Sequence, residues 1–169
     1  MKFKFPENLS YRRYKPSDLK DMKNIFLNFQ EKAGVQYFSN IAKGESESFY
    51  RLYLLSECEN LPKKYPYAYT VLVNKKPAAF LFFTQNKMSE NSIELQFAFK
   101  DNNYLINTRA IKIFKDILSE IRKTLNKKKI YACLGKREKQ KSYVKVVQRK
   151  FGAKIVTEDQ FGRLIVEFP

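Results

Sequence analysis

Between Ser92 and Leu125 the hydrophobic repeat changes from two residues to three and four, and this change constrains the fold more than any other stretch of the chain. Ile93, Leu95, Phe97 and Phe99 alternate with Glu94, Gln96 and Ala98, the period of a strand with one well-buried face. A polar hinge follows, Lys100-Asp101-Asn102-Asn103-Tyr104-Leu105-Ile106-Asn107. From Thr108 onward, Ala110, Ile111, Phe114, Ile117, Leu118, Ile121 and Leu125 draw an apolar stripe down a helix. Asn107 or Thr108 is placed to cap that helix by accepting a hydrogen bond from a first-turn amide. A strand that hands over to a helix start puts unpaired N–H groups and the positive end of a helix dipole at the top of a sheet, which suits a phosphate.

The rest of the chain is organised on both sides of this unit. Leu9 to Tyr14 reads as a first strand, and Pro16-Ser17-Asp18 offers Ser17 or Asp18 as the cap of a helix. That helix carries Leu19, Met22, Ile25, Phe26 and Phe29 on one face and ends at Gly34. Ser46 or Ser48 opens a second helix with Phe49, Leu52, Tyr53, Leu55 and Cys58, which Pro62 is expected to terminate. Tyr67–Val73 and Ala78–Thr84 form a hairpin around Asn74-Lys75-Lys76-Pro77, and a second turn lies near 88–91. Beyond the long helix come a buried strand, Ile130–Leu134, and a polar stretch, Gly135–Lys141. A helix with Tyr143, Val144, Val147 and Phe151 follows, closed by Gly152, and then two short strands, 154–157 and 163–168. The predicted order is β-α-α-β-β-β-α-β-α-β-β. With 169 residues and no linker or repeat, a single domain spanning 1–169 is expected.

Charge is distributed unevenly. Lysine and arginine number 33 against 17 acids, a net of +16. Residues 122–154 hold 13 basic residues and one acid, Glu138, so 13 − 1 = +12 of that excess lies between Arg122 and Lys154. A field of this kind attracts nucleic acid, an acidic protein surface or a phosphorylated cofactor, or serves as a solvated, solubilising face. The chain has no histidine, which excludes Ser-His and Cys-His catalytic pairs and histidine-bearing zinc patterns. Two cysteines, Cys58 and Cys133, make neither a disulfide framework nor a metal site, and Cys133 in the run Ile130–Leu134 is expected to pack as a small hydrophobe. No apolar run has signal-peptide or membrane-span length, so the expected compartment is a reducing cytoplasm with no membrane partner.

This order of elements, with the details at its hinges, resembles the GNAT superfamily of acyl-CoA N-acyltransferases from Tyr11 to Phe168. Three pieces carry the resemblance. Tyr11-Arg12-Arg13-Tyr14-Lys15-Pro16-Ser17-Asp18-Leu19 is similar to the opening strand and helix start, residues 92–125 to the central strand–hinge–helix, and Lys150-Phe151-Gly152-Ala153-Lys154-Ile155-Val156 to the late glycine step. The resemblance implies an α/β (α+β) fold with a mixed, mostly antiparallel central sheet flanked by helices, and acetyl-CoA or another acyl-CoA as cofactor. The family's pyrophosphate motif falls on residues 102–107 and is degenerate here. Asn102 stands at the Arg or Gln position, Leu105 at the first Gly and Asn107 at the Gly or Ala position.

By the same resemblance, the cofactor-binding positions are Asn102, Asn103, Leu105, Asn107, Thr108 and Arg109 for the phosphates. Lys100 lies close by. The main chain of Leu95, Phe97 and Phe99 would pair with the pantetheine arm, where the central strand diverges from the strand after the long helix. Glu94 takes the place of the general base. The usual acid, a tyrosine four residues before the late glycine, is replaced by Gln148, which leaves Tyr143 as the substitute. The segment from Val35 to Glu45, with Tyr37 and Phe38, would line the acceptor side. Two functional readings follow. The first is an N-acyltransferase moving an acetyl group to a primary amine of a small molecule or protein. The second is a GNAT-like fold without catalysis, which binds nucleic acid or an acidic protein in a larger assembly through Arg122–Lys154.

Overall fold

The sheet grows outward from a tight hairpin. In the computed structural model, which describes residues 8–33, 47–85, 91–101, 107–126, 129–134, 138–160 and 163–169, strand β2 (Tyr67–Val73) returns through Asn74-Lys75 into β3 (Lys76–Gln85). (The side chains of residues 30–33, 47–54, 57 and 138–143 fall outside the description.) Asn74 and Lys75 have φ of 48° and 66°, the two positive values that a two-residue turn needs to match strand twist. The returning strand therefore starts at Lys76, two residues before the expected Ala78, and Pro77 lies within it. Strand β1 (Leu9–Arg13) pairs with β2, and β4 (Ser92–Phe99) with β3. The chain then adds β5 (Lys129–Leu134), β6 (Lys154–Glu158) and β7 (Leu164–Phe168). Spatial order is β1-β2-β3-β4-β5-β7-β6, and of these pairings only β4–β5 is parallel.

Among the described residues four helices cover this sheet, and the expected mixed, mostly antiparallel architecture is the one observed. Helix α1 (Leu19–Ala33) buries Met22, Ile25, Phe26, Leu27 and Phe29. Neither Ser17 nor Asp18 caps it. Pro16–Asp18 forms a single 3-10 turn with Lys15 before it, and Asp18 is buried. Its carboxylate takes both terminal nitrogens of Arg12 at 2.7 Å, the Lys15 amide at 3.0 Å and the Thr70 hydroxyl at 2.8 Å. Helix α2 (Glu47–Lys64) passes through Pro62 instead of ending there. A proline three residues from the end removes only its own amide bond, and the Leu61 carbonyl still accepts from Tyr65 N at 2.8 Å. Ser48 lies inside this helix, while Gly34, Ser46 and Val35–Glu45 are outside the described residues.

Helix α3 (Thr108–Leu125) begins at Asn107, whose side chain accepts from Ala110 N at 3.0 Å, and ends at Asn126 with φ 48°. Its buried stripe is Phe114, Ile117, Leu118, Ile121 and Leu125, and Arg122 Nη2 donates to the Phe168 carbonyl at 3.0 Å. Helix α4 (Glu138–Phe151) starts within the polar stretch Gly135–Lys141 expected to precede it. It ends as expected at Gly152, φ +70°, whose amide reaches Gln148 O while Ala153 N reaches Val147 O.

Register sets two aromatic clusters on opposite faces of the sheet. Phe80 and Phe82 on β3 meet Tyr14 and Tyr65, and their β4 partners are Ala98 and Gln96. On the opposite face, the Phe114 ring touches Phe99, Phe151 and Phe168, joining α3, α4 and β7. With both faces of its central strands covered, the sheet is more deeply buried than alternation alone suggests, and Ala98 and Ser92 are fully buried. No helix among the described residues is long and apolar enough to cross a membrane.

Candidate active site

Strands β4 and β5 separate. Their parallel ladder covers Ser92↔Lys129, Ile93↔Ile130 and Glu94↔Tyr131. Beyond Glu94, β4 continues to Phe99 against β3 alone, while β5 continues to Leu134 against β7. The result is a wedge, with the main chain of Leu95–Phe99 on one wall and that of Ala132–Leu134 on the other. Strand backbone that has lost a neighbour offers N–H and C=O groups to an extended ligand, as an edge strand does. The divergence also explains Phe97, which sequence alternation placed in the core. It is only half-buried, and it is flanked by Phe29 of α1 at 6.1 Å and Phe114 of α3 at 6.3 Å between ring centroids. Leu95 and Phe99 are buried.

The α3 N-terminus stands beyond the end of β4. Asn107 is extended (φ −77°, ψ 127°) and accepts one first-turn amide on its side chain and the Ile111 amide on its carbonyl, at 2.9 Å. Thr108 and Arg109 in this first turn are exposed, where the partial positive charge of the helix start is strongest. Asn102, Asn103 and Leu105 lie outside the described residues, as do Tyr104 and Ile106.

Glu94 is at the point where the ladder stops. Register puts it on the same face as Phe82 and Gln96, toward the α2 end, and Tyr65 Oη donates to its Oε1 at 2.9 Å. It is thus a held carboxylate, half-buried. A cavity of about 440 Å³ opens beside it, lined by Ser92, Glu94, Tyr131, Cys133, Val156, Arg163 and Ile165. It lies on the sheet face opposite Phe114 and Phe168. Around the rim, Arg163 Nε binds Asp159 Oδ2 at 2.6 Å, and Lys129 lies 3.7 Å from Glu167. Cys133 is partly exposed here, where its sequence context suggested core packing. Burial still pushes its thiol above the ordinary range, Arg163 opposes that shift, and Glu94 adds to it.

Tyr143 is in α4, and its side chain is outside the description. Gln148 is exposed on the same helix and uses its carbonyl on Gly152. The structure therefore sets Glu94 at the apex of the β4 wedge, Leu95–Phe99 along one wall and the Asn107–Arg109 turn beyond the far end of that strand. Tyr65, Tyr131, Cys133 and Arg163 are the additions that sequence reasoning missed. Tyr65 precedes a proline just after α2 and lies 29 residues from Glu94, a pairing that tertiary packing creates. Tyr131 and Cys133 were concealed by their apolar neighbours.

No protein-family model matches this sequence, and no curated protein matches it. Solved structures do match over almost the whole chain. The PaiA N-acetyltransferase from Thermoplasma acidophilum, in complex with coenzyme A, is similar with a TM-score of 0.63 at 13% identity, covering 95% of this chain and 98% of that one. A GNAT-family acetyltransferase from Staphylococcus aureus Mu50 gives 0.63 at 15%, with 94% and 98% covered. The ribosomal-protein-S5-alanine acetyltransferase from Vibrio fischeri gives 0.57 at 16%, with 98% and 93% covered. Likeness at such low identity is a likeness of fold.

Proposed function

On a chain with the GNAT fold, we propose acyl-CoA-dependent N-acyl transfer, acetyl in the first instance, to a primary amine. The observation that carries this reading is the parting of β4 from β5 directly after Glu94. The main chain of Leu95, Phe97 and Phe99 would take the amide groups of the pantetheine arm, and the helix start at Asn107, Thr108 and Arg109 would face its phosphates. Asn102, Asn103 and Leu105 belong to the same proposed cradle. Bound coenzyme supplies an acyl group activated as a thioester. The residues of the chain hold the reactants in line and manage the proton. Glu94, fixed by the Tyr65 hydroxyl, takes a proton from the amine directly or through a water, and Tyr143 is the proposed acid. Neither Cys58 nor Cys133 is joined in a disulfide, which suits the cytoplasmic setting included in this reading, with residues 1–169 acting as one domain.

The test is a calorimetric titration with acetyl-CoA followed by a transfer assay on a panel of primary amines. Saturable binding is expected, and Glu94→Gln should lower kcat by about 100-fold while leaving acetyl-CoA affinity unchanged. Absence of binding at millimolar acetyl-CoA would end the reading. A second reading, a basic binding module without catalysis, draws on exposed Lys112, Lys115, Lys123, Lys145, Arg149 and Lys150 along α3 and α4. It predicts nucleic-acid affinity that falls steeply as salt rises.

A further inference from the structure

We propose that the cavity beside Glu94 selects a monocationic primary amine carried on an apolar body, an alkyl- or aralkylamine, over polyamines and other polycations. This deepens the transfer reading and rests on it, since it places the acceptor on the Glu94 side of the wedge.

The argument begins with charge. Among the described residues, Arg163 lines the cavity and Lys129 is the ladder partner of lining residue Ser92, and each carries its own acid: Arg163 is bound by Asp159 at 2.6 Å and Lys129 faces Glu167 at 3.7 Å. Glu94 is bonded by a neutral phenol, Tyr65, at its Oε1. Among the described residues, Arg163 and Lys129 are set against Asp159, Glu167 and Glu94, 2 − 3 = −1, a balance negative by one charge on a chain of +16. That is room for one ammonium. A second would find no carboxylate left over and would meet the field of the whole chain, which repels it.

The apolar requirement comes from the rest of the lining. Beyond Glu94 and the paired Arg163 the walls are Ser92, Tyr131, Ala132, Cys133, Ile165 and Val156. These groups offer a long or polyhydroxylated substrate few polar partners, and unpaired polar groups brought against them would be penalised. Val156 is 53% exposed and Ile155 44%, the two large apolar side chains left most open among the described residues. A hydrocarbon or phenyl body laid on Val156 and Ile165 would bury apolar surface at the usual gain per area, while its ammonium reaches Glu94.

Calorimetry on the full chain with 2-phenylethylamine and with spermidine tests this at two salt concentrations. The aralkylamine should bind about tenfold tighter than spermidine, and Glu94→Gln should weaken it by about tenfold. Val156→Lys puts a cation on the apolar wall at a half-exposed position, where folding is not at stake, and should weaken 2-phenylethylamine severalfold. Spermidine binding as tightly as 2-phenylethylamine, or a 2-phenylethylamine affinity indifferent to both substitutions, would overturn the proposal. Acetyl-CoA titrations on the same samples separate the two readings. Coenzyme binding without amine binding overturns the cavity assignment alone, whereas amine binding without coenzyme binding overturns acyl transfer.

Discussion

The two halves of the sheet are built differently. From β1 to β4 the strands pair antiparallel over long ladders, with a register shift between Val71 and Leu72, and helices lie on both faces, so side chains such as Phe80, Phe82 and Leu81 have no exposure at all. From β5 to β6 helices cover one face only, all five residues of β6 are exposed, and the ladder to β4 lasts three residue pairs. Their carboxylates differ in the same way. Asp18, in the closed half, is saturated by Arg12, Lys15 and Thr70, whereas Glu94, at the border, takes its bond from Tyr65 and faces a cavity. Folding free energy is concentrated where the sheet is closed, and the open half is left to contact something else.

The largest test of this contrast is a pair of truncations. Phe82→Ala removes a fully buried ring that meets Tyr14, Tyr65 and Phe80 and should cost about 4 kcal/mol in denaturant unfolding. Val156→Ala should change stability by about 0.5 kcal/mol or less. Comparable losses at the two sites would refute the asymmetry. Next comes Asp18→Asn, expected to cost about 2 kcal/mol because it breaks a paired, mostly buried charge while partly exposed Arg12 can rehydrate. Burial alone would raise the Asp18 carboxyl, but the bonds from Arg12, the Lys15 amide and Thr70, with the charge of Arg12, hold it below its ordinary value. A depressed folded pKa contributes stability that is complete above the unfolded value, about 3.9, and is lost as pH falls through the folded one. Unfolding midpoints measured between pH 6 and pH 2 should therefore show an acid-side decline that is shallower in Asp18→Asn.

Tyr65→Phe asks whether the closed half positions Glu94, the proposed base at the border. Loss of the 2.9 Å bond should cost about 1 kcal/mol or less in stability. If Tyr65 acts through Glu94, it should lower kcat severalfold with acetyl-CoA affinity intact, and it should lower it no further in a Glu94→Gln background, because residues acting as a unit are not additive. Additive losses in the double variant would show that the two act separately.

Local pattern explains which of these features a reader of the sequence could see. The period change at residues 99 to 108 located β4 and α3 at their observed boundaries, Asn107 declared itself as a cap, and Asn74-Lys75 sat where a hairpin had to turn. Boundaries were missed where a local rule met a tertiary exception. Pro62 was read as a helix stop, yet a proline in the last turn sacrifices one bond only, and the polar start of α4 lacked the apolar stripe that would have marked it as helix. Glu94 and the diverging strands were legible through family resemblance. Their surroundings were not: Tyr65, Arg163 and Asp159 reach the cavity from elements whose approach no periodicity encodes, and Phe97 looks like a core residue until β5 turns away from it.

The two cysteines give the smallest and most direct probe of the same contrast. Cys58 has no exposure and lies in the closed half, while Cys133 is partly exposed and lines the cavity. Alkylation with iodoacetamide under native conditions, followed by peptide mass spectrometry, should modify Cys133 and leave Cys58 untouched until the chain unfolds. The reaction at Cys133 should be slow, because the thiolate is the attacking species and burial raises the pKa of this thiol, with Glu94 adding to the shift and Arg163 opposing it. Its rate should climb about tenfold per pH unit from pH 7 and go on rising beyond the pH at which an unhindered thiol levels off, near 8.5. A plateau at or below that value would mean that water reaches Cys133 freely and that the cavity wall is less enclosed than its neighbours imply. Labelling of Cys58 at a rate matching Cys133 would be worse for the comparison itself, since it would require the packed half of the sheet to open as readily as the half that is already open.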